Sequence, residues 1–227
     1  MNLFKKLYYK LGLISKPVNN HYLQHRNIEY ILDIGANTGQ YALAINKILP
    51  LAKIISFEPI LSCYEELLIN TQNINAVSKN YALGEFNETK NINISAYSPS
   101  SSLLNMATLH KTEFKGTDYI KTEQINIKRL DDIFSELEIK GNYTIKIDVQ
   151  GYEDKVIKGG LETLIKADSI LVETCFEELY EGQLLFDGLY NLLTDNGFIY
   201  RGNYNQFYNK ENGRILYADS FFINSRK

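Results

Sequence analysis

Apolar residues along this chain alternate between two spacings from about residue 28 onward. Short runs rich in Ile and Val have the length and composition of buried strands, and longer segments between them repeat apolar positions at helical spacing. The predicted strands are IEYILDIG, KIISFEP, AVSKNYALG, TIKIDVQG, SILVETC, FIYRGNY and YADSFFIN. Strands separated by helices predict an α/β fold, in which a mostly parallel sheet carries helices on both faces.

The predicted helices end at recognisable residues. QYALAINKIL stops before Pro50, and GQLLFDGLYNLLTDNG ends at Gly197, which suits a C-terminal cap. YEDKVIKGGLETLIK is predicted to form one helix between two strands. The last two strands flank the turn NKENG, which indicates a hairpin.

Residues 85–130 interrupt this rhythm. ETKNINIS and TEQINIKRL have the alternation of short extra strands, and the polar segment between them has no strong helical period. Inserts of this length in compact domains are often lids or substrate loops. We therefore expect residues 85–130 to lie over a substrate site.

The sequence predicts a helical extension over residues 1–27, ahead of a domain that spans residues 28–227. Their apolar positions recur at helical spacing with lysines between them. This pattern predicts a helix packed on its own domain or on a second copy of the chain, as in a homo-oligomer. Weak contact of residues 3–16 with an anionic membrane surface is the alternative, and a few lysines on one short helix attract lipid only weakly.

Composition and charge exclude several other classes. The 227 residues carry 24 basic and 27 acidic side chains, so a net charge of −3 argues against a nucleic-acid partner. Cys63 and Cys175 are far apart and lie in apolar settings, which argues against a disulfide framework or a zinc site. No apolar run approaches the length of a membrane span, and the start is unlike a secretory signal. We therefore expect a cytoplasmic protein.

A glycine turn joins the first strand to the first helix in YILDIGANTGQYALAI. Such a turn points the free N–H groups of a helix N-terminus at a ligand. The dinucleotide fingerprint needs glycines at positions that are here Gly35, Asn37 and Gln40, and the phosphate-loop pattern also fails. Asp33, two residues before the first glycine, would moreover repel a pyrophosphate.

A ligand with positive charge fits these residues better. S-adenosylmethionine carries an ammonium group, which Asp33 would attract, as well as a sulfonium. Glu58 ends the second strand, where an acid can accept hydrogen bonds from both ribose hydroxyls, and Pro59 fixes the turn after it. Asp33, Gly35, Gly39 and Glu58 together therefore predict a site for this cofactor.

The chain resembles the FkbM-type methyltransferases, a family of class I S-adenosylmethionine-dependent enzymes, over roughly residues 28–200. The resemblance rests on LDIGANTGQYA, SFEP, NYALG, SSSL, RLDDI, IKIDVQGYEDKVIKGG and ILVETCFEELYEG, taken in that order. It implies a Rossmann-like, seven-stranded, mostly parallel sheet whose last strand is antiparallel. The final predicted hairpin agrees with that topology.

The resemblance also assigns residues to the cofactor. It implies that Glu58 holds the ribose and that the following residues surround the methionine part: Asp33, Gly35, Ala36, Asn37 and Gly39. Asn80, Ala82 and Leu83 would lie beside the adenine. Asn80 could equally be a turn residue that bonds its own backbone.

Candidate catalytic residues follow two later strands. Ligands collect at the carboxyl ends of parallel strands, where IKIDVQG places Asp148 and ILVETC places Glu173. Lys146 shares a strand face with Asp148. Asp148 could act as a general base, or with Glu173 it could hold a divalent cation; a structural salt bridge to Lys146 is the third alternative. Gln150 stands where many relatives carry Glu, which removes one metal ligand.

The polar insert contributes weaker candidates. His110 is the histidine nearest the expected site, although a loop histidine is more often solvated than catalytic. Ser101 and Ser102 match the serine pair of the family and could contact a ligand or make the turn after Pro99. Three tyrosines were further candidates for an acceptor pocket: Tyr152, Tyr180 and Tyr204.

The acceptor is expected from the resemblance alone. It implies methylation of a hydroxyl on a sugar, in a glycan or a glycosylated small molecule. Two alternatives stay open at this point, a nicotinamide-dependent dehydrogenase and a scaffold of the same fold that binds an adenosyl ligand or a glycan without catalysis.

Overall fold

The computed structural model describes residues 21–227, which form two sheets and surrounding helices. The α-helices are α1 (His21–Gln24), α2 (Gln40–Asn46), α3 (Leu61–Thr71), α4 (Thr108–Glu113), α5 (Leu130–Ile133), α6 (Glu153–Gly159), α7 (Leu161–Leu164) and α8 (Phe186–Asp195). The strands are β1 (Tyr30–Ile34), β2 (Lys53–Phe57), β3 (Ala76–Lys79), β4 (Ala82–Leu83), β5 (Glu88–Ser95), β6 (Tyr119–Lys128), β7 (Tyr143–Ile147), β8 (Ser169–Cys175), β9 (Phe198–Tyr208) and β10 (Ile215–Asn224). Short 3₁₀ turns cover Ser98–Ser100 and Phe134–Leu137.

The main sheet has seven strands in the order β3-β2-β1-β7-β8-β10-β9. Strands β3, β2, β1, β7 and β8 are parallel to one another, and β10 is antiparallel to both β8 and β9. After β1 the chain adds β2 and β3 on one side of β1, and it later adds β7 on the other side. The direction in which strands are added therefore reverses between β1 and β7. In open α/β sheets a ligand crevice forms at this point, outside the carboxyl ends of the strands. The predicted fold class is confirmed.

Alternation along the strands gives the sheet two apolar faces. In β1, Leu32 and Ile34 belong to a core with β7, α6 and α8, whereas Ile31 belongs to a second core with α2. Because side chains alternate with a period of two, Asp33 shares the face of Ile31 and lies within the sheet rather than at its rim. It is fully buried.

The insert forms a second sheet in the order β4-β6-β5. Its apolar side packs on the start of α3 through Ile92, Ile94, Ile125 and Ile127, together with Ile60 and Cys63. The two predicted extra strands are present, but the predicted third strand AVSKNYALG is wrong as one element. It divides into β3 of the main sheet and β4 of the second, because the chain turns at residues 80–81 to pair with β6.

Two glycines decide how the predicted helices end: one contradicts the prediction and the other agrees with it. The segment predicted as one helix after β7 is broken at Gly160 into α6 and α7; a Cβ there would lie 3.0 Å from the Cβ of Leu130. Gly197 follows α8 with a φ of 89° and donates its N–H to Thr194, as a C-terminal cap does. The helix predicted over residues 3–16 lies outside the described residues. Within residues 21–227, no helix has the length and apolar character needed to cross a membrane.

Candidate functional site

Two cavities adjoin at the carboxyl ends of β1, β7 and β8. The first has a volume of about 680 Å³ and the second about 1390 Å³, and both open to solvent. Their linings share Pro99, Asp148 and Gln150. A group bound in one cavity can therefore reach a group bound in the other across these three residues.

The first cavity is built on the glycine turn after β1. Gly35 has a φ of 79°, and a Cβ on it would lie 1.9 Å from the backbone oxygen of Asp148, so only glycine lets β1 and the loop after β7 approach this closely. The backbone N–H groups of Gly35 and Ala36 both donate to the carbonyl of Phe57. The turn is therefore fixed against the end of β2.

Glu58 presents its carboxylate at the edge of this cavity. Its Oε2 accepts the backbone N–H of Asn37 at 2.8 Å, and its Oε1 accepts that of Ile60 at 2.8 Å. Burial raises the pKa of Glu58 to about 7, although these two donors oppose the shift. Each oxygen keeps acceptor capacity for a hydroxyl, which is the geometry that a ribose diol requires.

The remaining predicted cofactor residues divide into two groups. Pro59, Ala82, Leu83 and Asn37 line the first cavity with Gly35 and Glu58, beside the apolar side chains of Ile34, Phe57 and Val149. Ala36, Gly39 and Asn80 do not line it. Gly39 caps α2 with a φ of 91°, and the Asn80 amide donates to the carbonyls of Glu58 and Pro59, so it connects the end of β3 to the turn after β2.

Asp33 lies behind the turn and lines neither cavity. Its nearest cation is Lys146, whose Nζ lies 3.5 Å from Asp33 Oδ1 and 3.3 Å from Asp148 Oδ2 and donates to the carbonyl of Gly35. Burial raises the pKa of Asp33, and Lys146 opposes this. The structure thus differs from the expected direct contact between Asp33 and the cofactor ammonium, because Lys146 occupies the cation position beside the buried carboxylate.

Lys146 stays charged in this arrangement. Burial alone would lower its pKa, but the carboxylates of Asp148, Asp33 and Asp219 outweigh it and raise the pKa. A charged ammonium cannot accept a proton. Lys146 therefore anchors Asp148 and does not serve as a base.

Asp148 is the predicted catalytic residue that lies where the two cavities meet. Its side chain remains 31% exposed, unlike those of Asp33 and Lys146. Its Oδ2 faces Lys146, and its Oδ1 accepts a hydrogen bond from the amide Nε2 of Gln150 at 2.8 Å. The loop that carries it is closed by Glu153, whose Oε1 accepts the N–H groups of Val149 and Gly151, as expected of a capping acid.

The second cavity combines carboxylates with aromatic walls. Asp148, Glu173 and Asp219 line it on the sheet side, and Glu173 and Asp219 are directly opposed between β8 and β10. The aromatic residues in its lining are Tyr97, Phe114, Phe207 and Tyr217. The rings of Phe207 and Tyr217 are stacked, with centroids 5.3 Å apart and planes within 5°.

Burial and the nearby carboxylates raise the pKa values of Glu173 and Asp219. Burial, followed by repulsion from Asp148 and Asp219, raises the pKa of Glu173 well above its ordinary value. Burial also raises the pKa of Asp219 to about 6, although the amide of Asn205 donates to its Oδ2 at 2.7 Å. The raised pKa of Glu173 favours its protonated form, which can donate as well as accept hydrogen bonds.

His110 lines the second cavity from α4 but is 3% exposed. Its Nε2 lies 3.2 Å from the hydroxyl of Tyr180. Burial lowers the pKa of His110 to about 4, so the ring is neutral at physiological pH. The structure brings it near Asp148 only through Tyr180 and Gln150.

None of the three candidate tyrosines lines the second cavity, whereas one of the two candidate serines lines the first. Tyr152 lines the first cavity, Tyr180 is buried behind Gln150, and Tyr204 packs on Phe221. Ser101 lines the first cavity, and the Ser102 hydroxyl donates to the carbonyl of Gln150 at 2.6 Å. The sequence reasoning missed Tyr97, Tyr217 and Asp219. For the last two, the polar and apolar alternation of YADSFF was the available signal, since it places both residues on one face of β10.

The pair Asp148 and Glu173 does not fit a divalent cation. The Nε2 of Gln150 stands between them and donates to both, at 2.8 and 2.9 Å. Within residues 21–227, no group of three or more His, Cys, Asp or Glu side chains is arranged as a metal site. An N–H donor at the centre would repel a cation, so we derive no chemical step through a metal.

The first cavity fits an adenosyl cofactor. Gly35 and the apolar lining leave room for close backbone approach, and Glu58 offers acceptors for the ribose. The residues of this chain that would hold the cofactor are therefore Gly35, Asn37, Glu58, Pro59, Ala82 and Leu83.

Sequence and structural comparisons agree with this geometry. The protein-family model "Methyltransferase FkbM domain" matches residues 33–200. The 2-O-methyltransferase NoeI of Sinorhizobium fredii (strain NBRC 101917 / NGR234) is 30% identical over 170 residues, covering 72% of this chain and 70% of the relative.

Two solved structures share the fold at low identity. The first is magnesium protoporphyrin IX methyltransferase (ChlM) from Synechocystis PCC 6803 with bound S-adenosylmethionine, with a TM-score of 0.51 at 10% identity over 97% of this chain and 77% of that one. The second is the plantazolicin methyltransferase BpumL in complex with S-adenosylhomocysteine, with a TM-score of 0.50 at 14% identity over 97% of this chain and 86% of that one.

Proposed function

This chain belongs to the FkbM family of S-adenosylmethionine-dependent methyltransferases, and we propose that it methylates a hydroxyl oxygen of a sugar, in a glycan or a glycosylated small molecule. The observation that carries this proposal is the position of Asp148, a partly exposed carboxylate in the linings of both cavities. Family membership also decides against the nicotinamide-dependent dehydrogenase.

Asp148 acts as the general base in this proposal. The bound cofactor supplies an electrophilic methyl group, and transfer to a hydroxyl requires that one proton leave the acceptor oxygen. Asp148 reaches the second cavity from its junction with the first, so it can accept that proton while the oxygen attacks. Lys146 pairs with the resulting carboxyl only weakly, and the proton can then pass to solvent through the open second cavity.

Glu173 and Asp219 orient the acceptor. In the protonated form that its raised pKa favours, Glu173 can donate a hydrogen bond to a neighbouring sugar oxygen, and Asp219 can accept one. The cavity lining contains no Lys or Arg. It therefore disfavours acceptors with carboxylate or phosphate groups near the reacting hydroxyl.

The aromatic wall supports a sugar acceptor. The stacked rings of Phe207 and Tyr217, with Phe114 at 5.1 Å from Phe207, offer an apolar surface opposite the polar groups of β8 and β10. A sugar ring has that same division, with C–H groups on its faces and hydroxyls at its edge. The relative described as a 2-O-methyltransferase supports oxygen as the methylated atom.

A panel of acceptors tests the proposal. Purified protein is incubated with S-adenosylmethionine carrying a labelled methyl group and with neutral oligosaccharides, uronic-acid oligosaccharides, a peptide library and transfer RNA. We expect label on a hydroxyl oxygen of a neutral sugar, located by mass spectrometry and NMR. Label only on peptide or RNA, with none on any sugar, would contradict the proposed acceptor class. Binding of S-adenosylhomocysteine without transfer to any acceptor would favour the non-catalytic scaffold.

A further inference from the structure

Gln150 stands at the centre of the junction but is neither a base nor a nucleophile. Its Nε2 donates to Asp148 Oδ1 at 2.8 Å and to Glu173 Oε1 at 2.9 Å. We infer that Gln150 is a positioning residue, whose amide links these two carboxylates at fixed separation and keeps Asp148 oriented toward the acceptor without a metal. This inference rests on the proposed role of Asp148 as general base.

The chemistry of the neighbours fixes which way the Gln150 amide points. The hydroxyl of Tyr180 donates to Oε1 at 2.7 Å, and the two carboxylates accept from Nε2. The reverse orientation would place the amide oxygen against the carboxylate of Asp148, which has no hydrogen to donate. Only the observed orientation satisfies all three contacts.

Tyr180 is itself held in place by buried groups. Its side chain is 1% exposed, and its hydroxyl lies 3.2 Å from His110 Nε2. Since the single hydroxyl hydrogen is donated to Gln150, the neutral His110 ring supplies the N–H in that contact. A series of hydrogen bonds thus runs from His110 through Tyr180 to Gln150. This series explains why a buried histidine and a buried tyrosine lie behind the site.

The backbone also holds Gln150 in an uncommon conformation. Its φ is 56°, in the left-handed region that a residue other than glycine adopts at some energetic cost. The Ser102 hydroxyl donates to its carbonyl at 2.6 Å, and Glu153 binds the N–H groups on either side of it. A strained backbone conformation persists only where the surrounding contacts hold it, and strained residues of this kind are frequent at functional sites.

Two variants separate positioning from simple packing. Gln150→Met keeps the length of the side chain and removes both N–H donors, and Tyr180→Phe removes only the hydroxyl that orients the amide. Tyr190→Phe, at a partly exposed position on α8, is the matched control for the second change. The measurements are kcat, KM for the acceptor, the pH dependence of kcat, and calorimetric binding of S-adenosylhomocysteine.

We expect kcat to fall on the order of 100-fold in Gln150→Met and about 10-fold in Tyr180→Phe, with cofactor affinity within about threefold of wild type. The acid limb of the kcat profile should move to higher pH in both variants, because carboxylates that lose an N–H donor are protonated more readily. A residue that only fills space would not move this limb. Unchanged kcat and an unchanged pH profile in Gln150→Met would overturn the inference.

A second arm does not depend on methyl transfer. In Gln150→Glu a third carboxylate replaces the amide between Asp148 and Glu173, and three such groups suit a divalent cation. Titration with Mn²⁺ alone should show binding at least about tenfold tighter in Gln150→Glu than in wild type. Equal Mn²⁺ affinity would mean that Gln150 does not stand between the two carboxylates. If Mn²⁺ binding appears but the wild type methylates nothing, the proposed function fails and the placement of Gln150 stands.

Discussion

The ammonium group of Lys146 lies 3.5 Å from the carboxylate of Asp33, and the two residues are directly paired between β1 and β7. Both side chains are buried. Breaking a buried ion pair by removing one partner leaves an uncompensated charge and typically costs about 3–5 kcal/mol. The ion pair between Asp33 and Lys146 therefore stabilises the end of β1, where the glycine turn begins.

Asp33→Asn should lower the free energy of unfolding by about 3 kcal/mol, since Lys146 keeps Asp148 as a second partner. Adding Lys146→Met should recover part of that loss, because it removes the buried ammonium that has lost one of its two carboxylates. Urea unfolding of the two single variants and the double variant measures the coupling. Arg214→Met, which removes the exposed pair with Glu177, is the control and should cost less than about 1 kcal/mol. Wild-type stability of Asp33→Asn combined with loss of S-adenosylhomocysteine binding would instead indicate that Asp33 contacts the cofactor directly.

Glu58 should make cofactor binding depend on pH. Its pKa is about 7 in the folded protein, so its ionised form, the better acceptor for ribose hydroxyls, gains population as pH rises. Affinity for S-adenosylhomocysteine, measured by calorimetry, should increase by about fivefold between pH 6 and pH 8. Glu58→Gln should bind weakly and equally at both values. Equal affinity of the wild type at pH 6 and pH 8 would remove Glu58 from the ribose site.

The same carboxyl should affect stability with the opposite sign. Its pKa is raised from 4.5 when exposed to about 7 when folded, so between these values the folded state holds more protons than the unfolded state. The free energy of unfolding attributable to Glu58 therefore falls as pH rises through this window, by up to about 3 kcal/mol. Urea titrations of wild type and Glu58→Gln from pH 4.5 to 8 measure the difference, which should grow in favour of the variant. A constant difference would contradict the raised pKa.

Gly35→Ala should abolish cofactor binding. A Cβ at this position would lie 1.9 Å from the carbonyl oxygen of Asp148, so the turn and the catalytic loop must separate. Gly213→Ala is the matched control, because Gly213 has a similar φ of 73° with no atom within 4 Å of the added Cβ. The control should lose only about 1–2 kcal/mol of stability and keep full affinity. Retained binding in Gly35→Ala would mean that this close approach is not needed.

Chelation should leave the enzyme active. Gln150 donates to both Asp148 and Glu173, so the site presents an N–H group where a cation would sit. Initial rates of methyl transfer in the presence of EDTA, and after added Mg²⁺ or Mn²⁺, should agree within about twofold. A large loss restored by one of these ions would show that the carboxylates rearrange to bind it.

The sequence predicted those parts of the site that depend on local pattern. The glycine turn, Glu58 at the end of β2 and Asp148 at the end of β7 each follow from a strand that ends in a polar residue. The seven-stranded sheet with its antiparallel last strand followed from the family resemblance. The pattern could not predict how deeply each side chain is buried. The period of two assigns Asp33 to one face of the sheet, but it does not show whether a cavity opens on that face.

The acceptor side was less predictable because distant segments build it. Asp219 enters the cavity only because β10 pairs in antiparallel register with β8, opposite Glu173. Tyr97 and Phe114 come from the insert, whose packing no periodicity indicated. The Asn80 amide donates to the carbonyls of Glu58 and Pro59, a contact between remote segments that no local pattern around residue 80 indicates.

The most direct test of the account is Asp148→Asn, assayed for S-adenosylhomocysteine binding and for methyl transfer to the acceptor identified in the panel. The variant keeps the size and polarity of the side chain and removes its capacity to accept a proton. We expect binding within about threefold of wild type and a fall in kcat of about 100-fold or more. Methyl transfer at the wild-type rate in Asp148→Asn would contradict the assignment of Asp148 as general base.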